Sequence, residues 1–194
     1  MNDTKKTNKD TAPAKVKAPA DTRRIKTLCL IRHAKSSWKY PGLADADRPL
    51  STRGRREAAL MGRVLSERGF APDRWLSSPA LRALRTAEAV AGAVGWPVSR
   101  IALEPRLYEC SSEEMLAFLQ TMDDHAAWVA CVGHNPELTD LAYRLASKNI
   151  ANVPTCGVVE MRFAMEQWQA LGAIKPISVS FDFPKNHLQQ PSEG

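Results

Sequence analysis

The sequence predicts a three-layer α/β/α sandwich around a mostly parallel sheet. Three observations carry this. Short apolar runs alternate with longer segments whose apolar residues recur at helical spacing. Residues that favour turns separate most of these segments. Helix-start signals, among them Ser51, Ser78 with Pro79, and Ser111 with Glu114, stand just ahead of the helical stretches.

The elements follow in order. Ile25–Ile31 is apolar and rich in β-formers, the pattern of a strand buried on both faces. Residues 34–50 are polar and hold Pro41, Gly42 and Pro49, so they read as a loop. Ser51 to Arg68 reads as a helix with Ala58, Ala59, Met61, Val64 and Leu65 on its inner face, stopped by Gly69. Asp73–Leu76 is a brief strand. Ser78 then reads as an N-cap with Pro79 at the first helical position, opening a helix through Val94 to Gly95. Residues 100–104 form a short strand. Ser111 and Glu114 fit a capping box for a helix to about Met122. Ala127–Val132 is a further buried strand, and Asn135 and Pro136 begin a helix to about Ala146. Gly157–Phe163 and Pro176–Phe181 complete the strands, and no internal repeat is visible.

Composition bounds the function. The chain has 194 residues, 44% hydrophobic and 25% charged, the balance of a globular protein rather than a disordered one. No run approaches the roughly 18 apolar residues that cross a bilayer, so no membrane partner is expected. The net charge is +6, but residues 1–24 alone hold 7 Lys/Arg against 3 Asp. That segment has almost nothing large and apolar, so it predicts a disordered basic arm with no secretory leader. The domain is expected over residues 25–184, with a short tail over 185–194. The rest of the chain is nearly charge-balanced, and no nucleic-acid partner is expected from it. Cys29, Cys110, Cys131 and Cys156 show no CxxC spacing. They read as reduced thiols in a cytoplasmic protein. The sequence does not define an oligomeric state.

The chemistry-bearing residues gather where strands end. Arg32 and His33 follow the first strand; Ser77, Ser78 and Arg82 follow the second; Tyr108 and Glu109 follow the third; Gly133 and His134 follow the fourth. Ligands of open α/β sheets bind at the carboxyl ends of strands, so these segments are expected to share one cleft. Guanidinium groups grip phosphate oxygens bidentately, and helix N-termini favour anions. Arg82 in the first turn of a helix is unfavourable to the helix dipole, and a bound anion would offset that cost. Two histidines beside such a clamp suggest covalent catalysis, with a neutral imidazole nitrogen attacking phosphorus. The second histidine, if protonated, can stabilise the phosphoryl oxygens. No metal or cofactor is expected. Asp123, Asp124 and His125 cluster in one turn without partners, which is weak ground for a metal site.

Several segments resemble the histidine phosphatase superfamily, with its phosphoglycerate mutase-like fold. Arg32-His33-Ala34 matches the family's RHG signature with Ala in place of Gly. Leu50-Ser51-Thr52-Arg53-Gly54 is similar to its LT..G helix start, Ser77-Ser78-Pro79-Ala80-Leu81-Arg82-Ala83 to its SSP..R stretch, and Gly133-His134-Asn135-Pro136 to its second histidine motif. The run RHAKSSW, DRPLSTRG, SSPALRA.RTAE, LY and VGHNPEL is closest to the SixA-type phosphohistidine phosphatases and spans about residues 26–184.

The resemblance implies that His33 is the phosphorylated nucleophile, that Arg32 and Arg82 clamp the phosphoryl group, and that His134 completes the pocket. Glu109, in Leu107-Tyr108-Glu109, matches the general acid of the superfamily's mutases; SixA-type proteins often lack it. The short loop after His33 implies an open cleft able to admit a side chain of a phosphohistidine-containing protein. The alternatives are a small-molecule phosphomonoesterase, a mutase, and a phosphate-binding module without turnover. Arg48 and Arg53 read as solvated loop charges, Arg85 as a supporting or surface residue, and Asn135 as a helix cap.

Overall fold

A computed structural model describes residues 25–146 and 150–188. The arm over residues 1–24 and the last six residues of the tail lie outside the described residues. The strands are β1 (Ile25–Arg32), β2 (Arg74–Ser77), β3 (Ala102–Leu103), β4 (Trp128–Gly133), β5 (Val158–Ala164) and β6 (Ser178–Asp182). The α-helices are α1 (Thr52–Glu67), α2 (Leu81–Ala93), α3 (Ser112–Leu119) and α4 (Glu137–Ala146). The sheet order is β3-β2-β4-β1-β5-β6. The first four strands pair in parallel, and β5 runs against both its neighbours. The reversed strand belongs to a C-terminal hairpin that a reading by alternation with helices does not detect.

The two-residue period of the central strands builds both outer layers. Leu28, Leu30, Val129 and Cys131 face Met115, Leu119, Leu138 and Leu141 of α3 and α4. Cys29, Ile31, Ala130 and Val132 face Ala58, Met61, Ala83 and Ala87 of α1 and α2. Burial on both faces explains why β1 and β4 are apolar throughout. Ser51 caps α1 by accepting from Gly54 N at 3.0 Å, and Ser111 with Glu114 forms the predicted capping box on α3.

One helix start departs from expectation. The N-cap of α2 is Ala80, with no side-chain cap, rather than Ser78. Ser78 N still bonds Val132 O at 3.0 Å, so the chain stays at the sheet through Ser78 and turns into helix only after Ala80. That delay leaves the Ser78 hydroxyl at the strand ends. The C-terminal end also packs further than residue 184. Pro184–His187 forms a 3-10 turn, and Asp182 accepts from Asn186 Nδ2 at 2.9 Å, bonds His187 Nε2 at 2.7 Å and pairs with Arg68 at 2.7 Å.

Gly62 and Gly54 permit close approaches between α1 and its neighbours. A Cβ on Gly62 would stand 2.7 Å from Ala93 Cβ, so this residue sets how tightly α1 meets α2. A Cβ on Gly54 would collide with the Lys35 carbonyl, which accepts from Ser51 N at 2.8 Å. Gly54 therefore seats the loop after His33 on α1. Gly54→Ala is expected to cost about 1–3 kcal/mol from overpacking. Thermal unfolding of the variant beside wild type measures that loss, and an unchanged midpoint would contradict the seating role.

Candidate active site

Strand register assembles the site. Arg32 pairs with Gly133 across β1 and β4, and Ser77 pairs with Val132 across β2 and β4. The next residues along, His33, His134 and Ser78, therefore leave the sheet side by side. The His33 and His134 rings are 5.0 Å apart between centroids. His134 Nε2 lies 2.7 Å from Ser78 Oγ, and the Tyr108 ring stands edge-on to His134 at 5.5 Å.

Each imidazole has a defined state. His33 Nδ1 lies 2.8 Å from the carbonyl of Ala34. A carbonyl only accepts, so Nδ1 carries the hydrogen and Nε2 keeps its lone pair. Burial, opposed by the Ala34 bond and helped by Arg82, Arg32 and Arg48, pushes the His33 pKa down to about 4. Burial, then His33 and Arg82, push His134 down to about 3. Both rings are neutral at pH 7 in the free protein. His134 Nδ1 is buried without a hydrogen-bond partner. A dianion in the cleft would favour the protonated form of either ring.

Three guanidinium groups surround the rings. Arg32 ends β1, donates Nη1 to Val153 O at 2.8 Å and keeps Nε buried without a partner. Burial lowers its pKa. Arg82, the second residue of α2, is only 7% exposed. Arg48 is 9% exposed, against the expectation of a solvated loop charge. It donates to Ser36 Oγ at 2.6 Å, and its guanidinium lies 3.3 Å from the centre of the Trp38 ring. The Ser36–Leu50 bridge folds the loop back on itself and carries Arg48 inward. Arg53 is exposed and pairs with Glu57, and Arg85 pairs with Glu88 at the surface.

Glu109 meets this group through Tyr108: burial, Asp45 and Glu109 raise the Tyr108 pKa, so the Glu109 carboxylate lies near that hydroxyl. Glu109 is exposed with a left-handed backbone (φ 55°), and among the described residues no hydrogen bond joins it to either histidine. It lines a groove with Tyr108, Cys110 and Phe118. Asn135 does not act as the expected cap. Its side-chain amide donates to Asn152 Oδ1 at 3.0 Å and to Val153 O at 3.1 Å, bracing the segment that holds Arg32. Asp123 bonds His125, and Asp124 accepts from Trp168 N, so this turn is occupied with its own structure. Among the described residues, no three His, Cys, Asp or Glu side chains are grouped to hold a metal.

Reading the sequence also missed several supports. Ala34 N donates to Thr86 Oγ1 at 2.9 Å, and that hydroxyl donates to Arg82 O at 2.7 Å, tying the loop after His33 to α2. The only signal was a threonine one helical turn beyond Arg82. Cys156 N donates to the carbonyls of Arg32 and His33, at 3.1 and 3.2 Å, and Arg32 N donates to Gly157 O at 3.0 Å. Nothing in the local sequence around Cys156 marks this brace.

Residues 28–140 match the model of the histidine phosphatase superfamily (branch 1). The chain belongs to this superfamily. An uncharacterized protein of Mycobacterium tuberculosis is 35% identical over 145 residues, covering 69% of this chain and 87% of its own. A solved structure of the protein histidine phosphatase SixA complexed with tungstate superposes with a TM-score of 0.68. It is 25% identical over 82% of this chain and 98% of that one. A 2,3-bisphosphoglycerate-dependent phosphoglycerate mutase of Thermobifida fusca is 43% identical, but over 65 residues only, which is 32% of this chain and 26% of the mutase. The superfamily supports a phosphatase, with substrate left to the cleft.

The two buried neutral histidines should leave a signature in stability. Their folded pKa values lie below the ordinary 6.5, so between about pH 6.5 and 3 the unfolded chain binds more protons. Stability is therefore expected to fall as pH drops through that window. The His33→Gln, His134→Gln double variant should show a flatter slope of thermal midpoint against pH than wild type. Equal slopes would contradict the burial of neutral rings.

Proposed function

We propose that this superfamily member is a metal-independent phosphatase that forms a covalent phosphohistidine at His33 and acts on phosphohistidine in a protein. The observation that carries the reading is the His33 ring itself: neutral, donating from Nδ1 to Ala34 O, and set among Arg32, Arg48 and Arg82. The free Nε2 lone pair would attack phosphorus in line, forming an N–P bond as the bond to the leaving group breaks. The guanidinium groups would carry the charge of the phosphoryl oxygens through the transition state. His134, protonated once the dianion is bound, would add a donor. Water would then attack phosphorus, release inorganic phosphate and return Nε2 its electron pair.

The leaving group decides between substrates. A departing imidazole needs little help from a protein acid, whereas an alkoxide needs a proton. Asp45, the carboxylate in contact with Arg82, is held down to about 2 by Arg48 and Arg82 against a burial effect that raises it. It cannot supply that proton near neutrality. The SixA neighbour, described as a protein histidine phosphatase, supports a phosphoramidate over an alkyl phosphate. If a small phosphomonoester is the substrate instead, Glu109→Gln should lower its turnover sharply while leaving a phosphohistidine protein unaffected.

His33→Ala is expected to abolish turnover of a phosphohistidine-containing phosphotransfer protein, and EDTA to leave wild type unchanged. Arg82→Ala should lose about 10²–10³-fold in kcat. Acid-labile label from ³²P substrate should be trapped on His33 in a rapid quench of wild type. Turnover by His33→Ala at the wild-type rate would overturn the reading.

A further inference from the structure

Asp45 is a charged side chain of the cleft to which the chemistry above gives no task. It lies in the 3-10 turn Asp45–Asp47, on the loop between His33 and α1. Its side chain is 50% exposed, yet it gathers donors from three separate segments. Arg48 Nη1 donates to Oδ1 at 2.8 Å, Arg82 Nη2 to Oδ2 at 2.8 Å, and the Tyr108 hydroxyl to Oδ2 at 3.1 Å. Its main-chain carbonyl takes Arg82 Nη1 at 2.6 Å.

A carboxylate in an anion pocket has two opposed readings. It either competes with phosphate for the seat or holds the groups that form the seat. Donor count favours the second. Arginine presents five N–H groups in a planar fork, and Asp45 needs one from each terminal nitrogen of Arg82. Three remain, including Nε–H. Arg48 is held likewise, between Asp45, Ser36 Oγ and the face of Trp38. Charge agrees: Arg32, Arg48, Arg82, Asp45 and the two neutral rings together carry +2, the complement of a phosphoryl dianion. Fixing long cationic side chains before the anion arrives removes an ordering cost from binding and from the transition state.

We propose that Asp45 is the positioning residue of the phosphate clamp, holding Arg82, Arg48 and Tyr108 in one arrangement so that the remaining guanidinium donors meet the phosphoryl oxygens without rearranging. This rests on the reading of the cleft as a phosphate site.

The test turns on a sign. By Coulomb's law alone, removing a carboxylate from an anion site tightens anion binding. Positioning requires the reverse. In the full chain, calorimetry with inorganic phosphate should show Asp45→Ala binding at least tenfold more weakly than wild type. With an aryl phosphate, kcat should fall by a larger factor than KM rises. Asp45→Asn keeps an acceptor for Arg82 and Tyr108 and should recover part of both losses. Phosphate binding by Asp45→Ala that equals or exceeds wild type would overturn the proposal and make Asp45 a competitor for the seat. If Asp45→Ala shows no cooperative thermal transition, Asp45→Asn decides by the same sign: weaker binding supports, equal or tighter binding overturns. A wild type that neither binds phosphate nor is labelled on His33 would bring down the cleft reading as well. That failure shows before any variant is compared, so the two are told apart.

Discussion

The site depends on strand register. Arg32 with Gly133, and Val132 with Ser77, fix where β1, β4 and β2 stop relative to one another. Because β1 and β4 are buried on both faces, a slip of one residue would exchange Leu28 and Leu30 for Cys29 and Ile31 against the wrong helices. The core thus penalises a slipped register and keeps the one that sets His33 beside His134, with Ser78 one residue short of them and in reach of the His134 ring. The chemistry is placed by packing far from it, and the loops only complete what the sheet has already aligned.

Electrostatics then gives those positions their character. Burial, with Arg82 and Arg32, acts in the same direction on both imidazoles, and Arg48 adds to it at His33, keeping both uncharged at neutral pH. For a nucleophile this is useful, since protonation would remove the lone pair. Arg48 and Arg82 also share Asp45, so cationic groups stand close together in the cleft. A phosphoryl dianion would offset their repulsion and favour the protonated form of a neighbouring ring.

The sheet, the four helices and the two strand-end histidines were legible in the sequence because each has a local signal. Apolar runs mark β1 and β4, Ser51 and Ser111 mark helix starts, and His33 and His134 sit directly beyond strands. The reversed β5 was not legible, because strand direction depends on the hairpin with β6 rather than on either strand's composition. Arg48 and Asp45 were not legible for a different reason. The burial of Arg48 comes from the Ser36–Leu50 bridge and the Trp38 ring, and the partners of Asp45 include side chains 37 and 63 residues away. Ser78 looked like a cap by its neighbours, Pro79 and Leu81, and became a histidine partner because Val132 keeps its N–H at the sheet. Glu109 matched a family pattern in sequence, and the structure sets it, exposed and with a left-handed backbone, near the Tyr108 hydroxyl.

The most direct measurement of the central claim is the protonation state of one ring. In ¹⁵N-histidine NMR of the phosphate-free protein, His33 should appear as the neutral tautomer with hydrogen on Nδ1 from pH 7 down to about pH 4. A His33 that titrates near pH 6.5, or that carries its hydrogen on Nε2, would contradict the account.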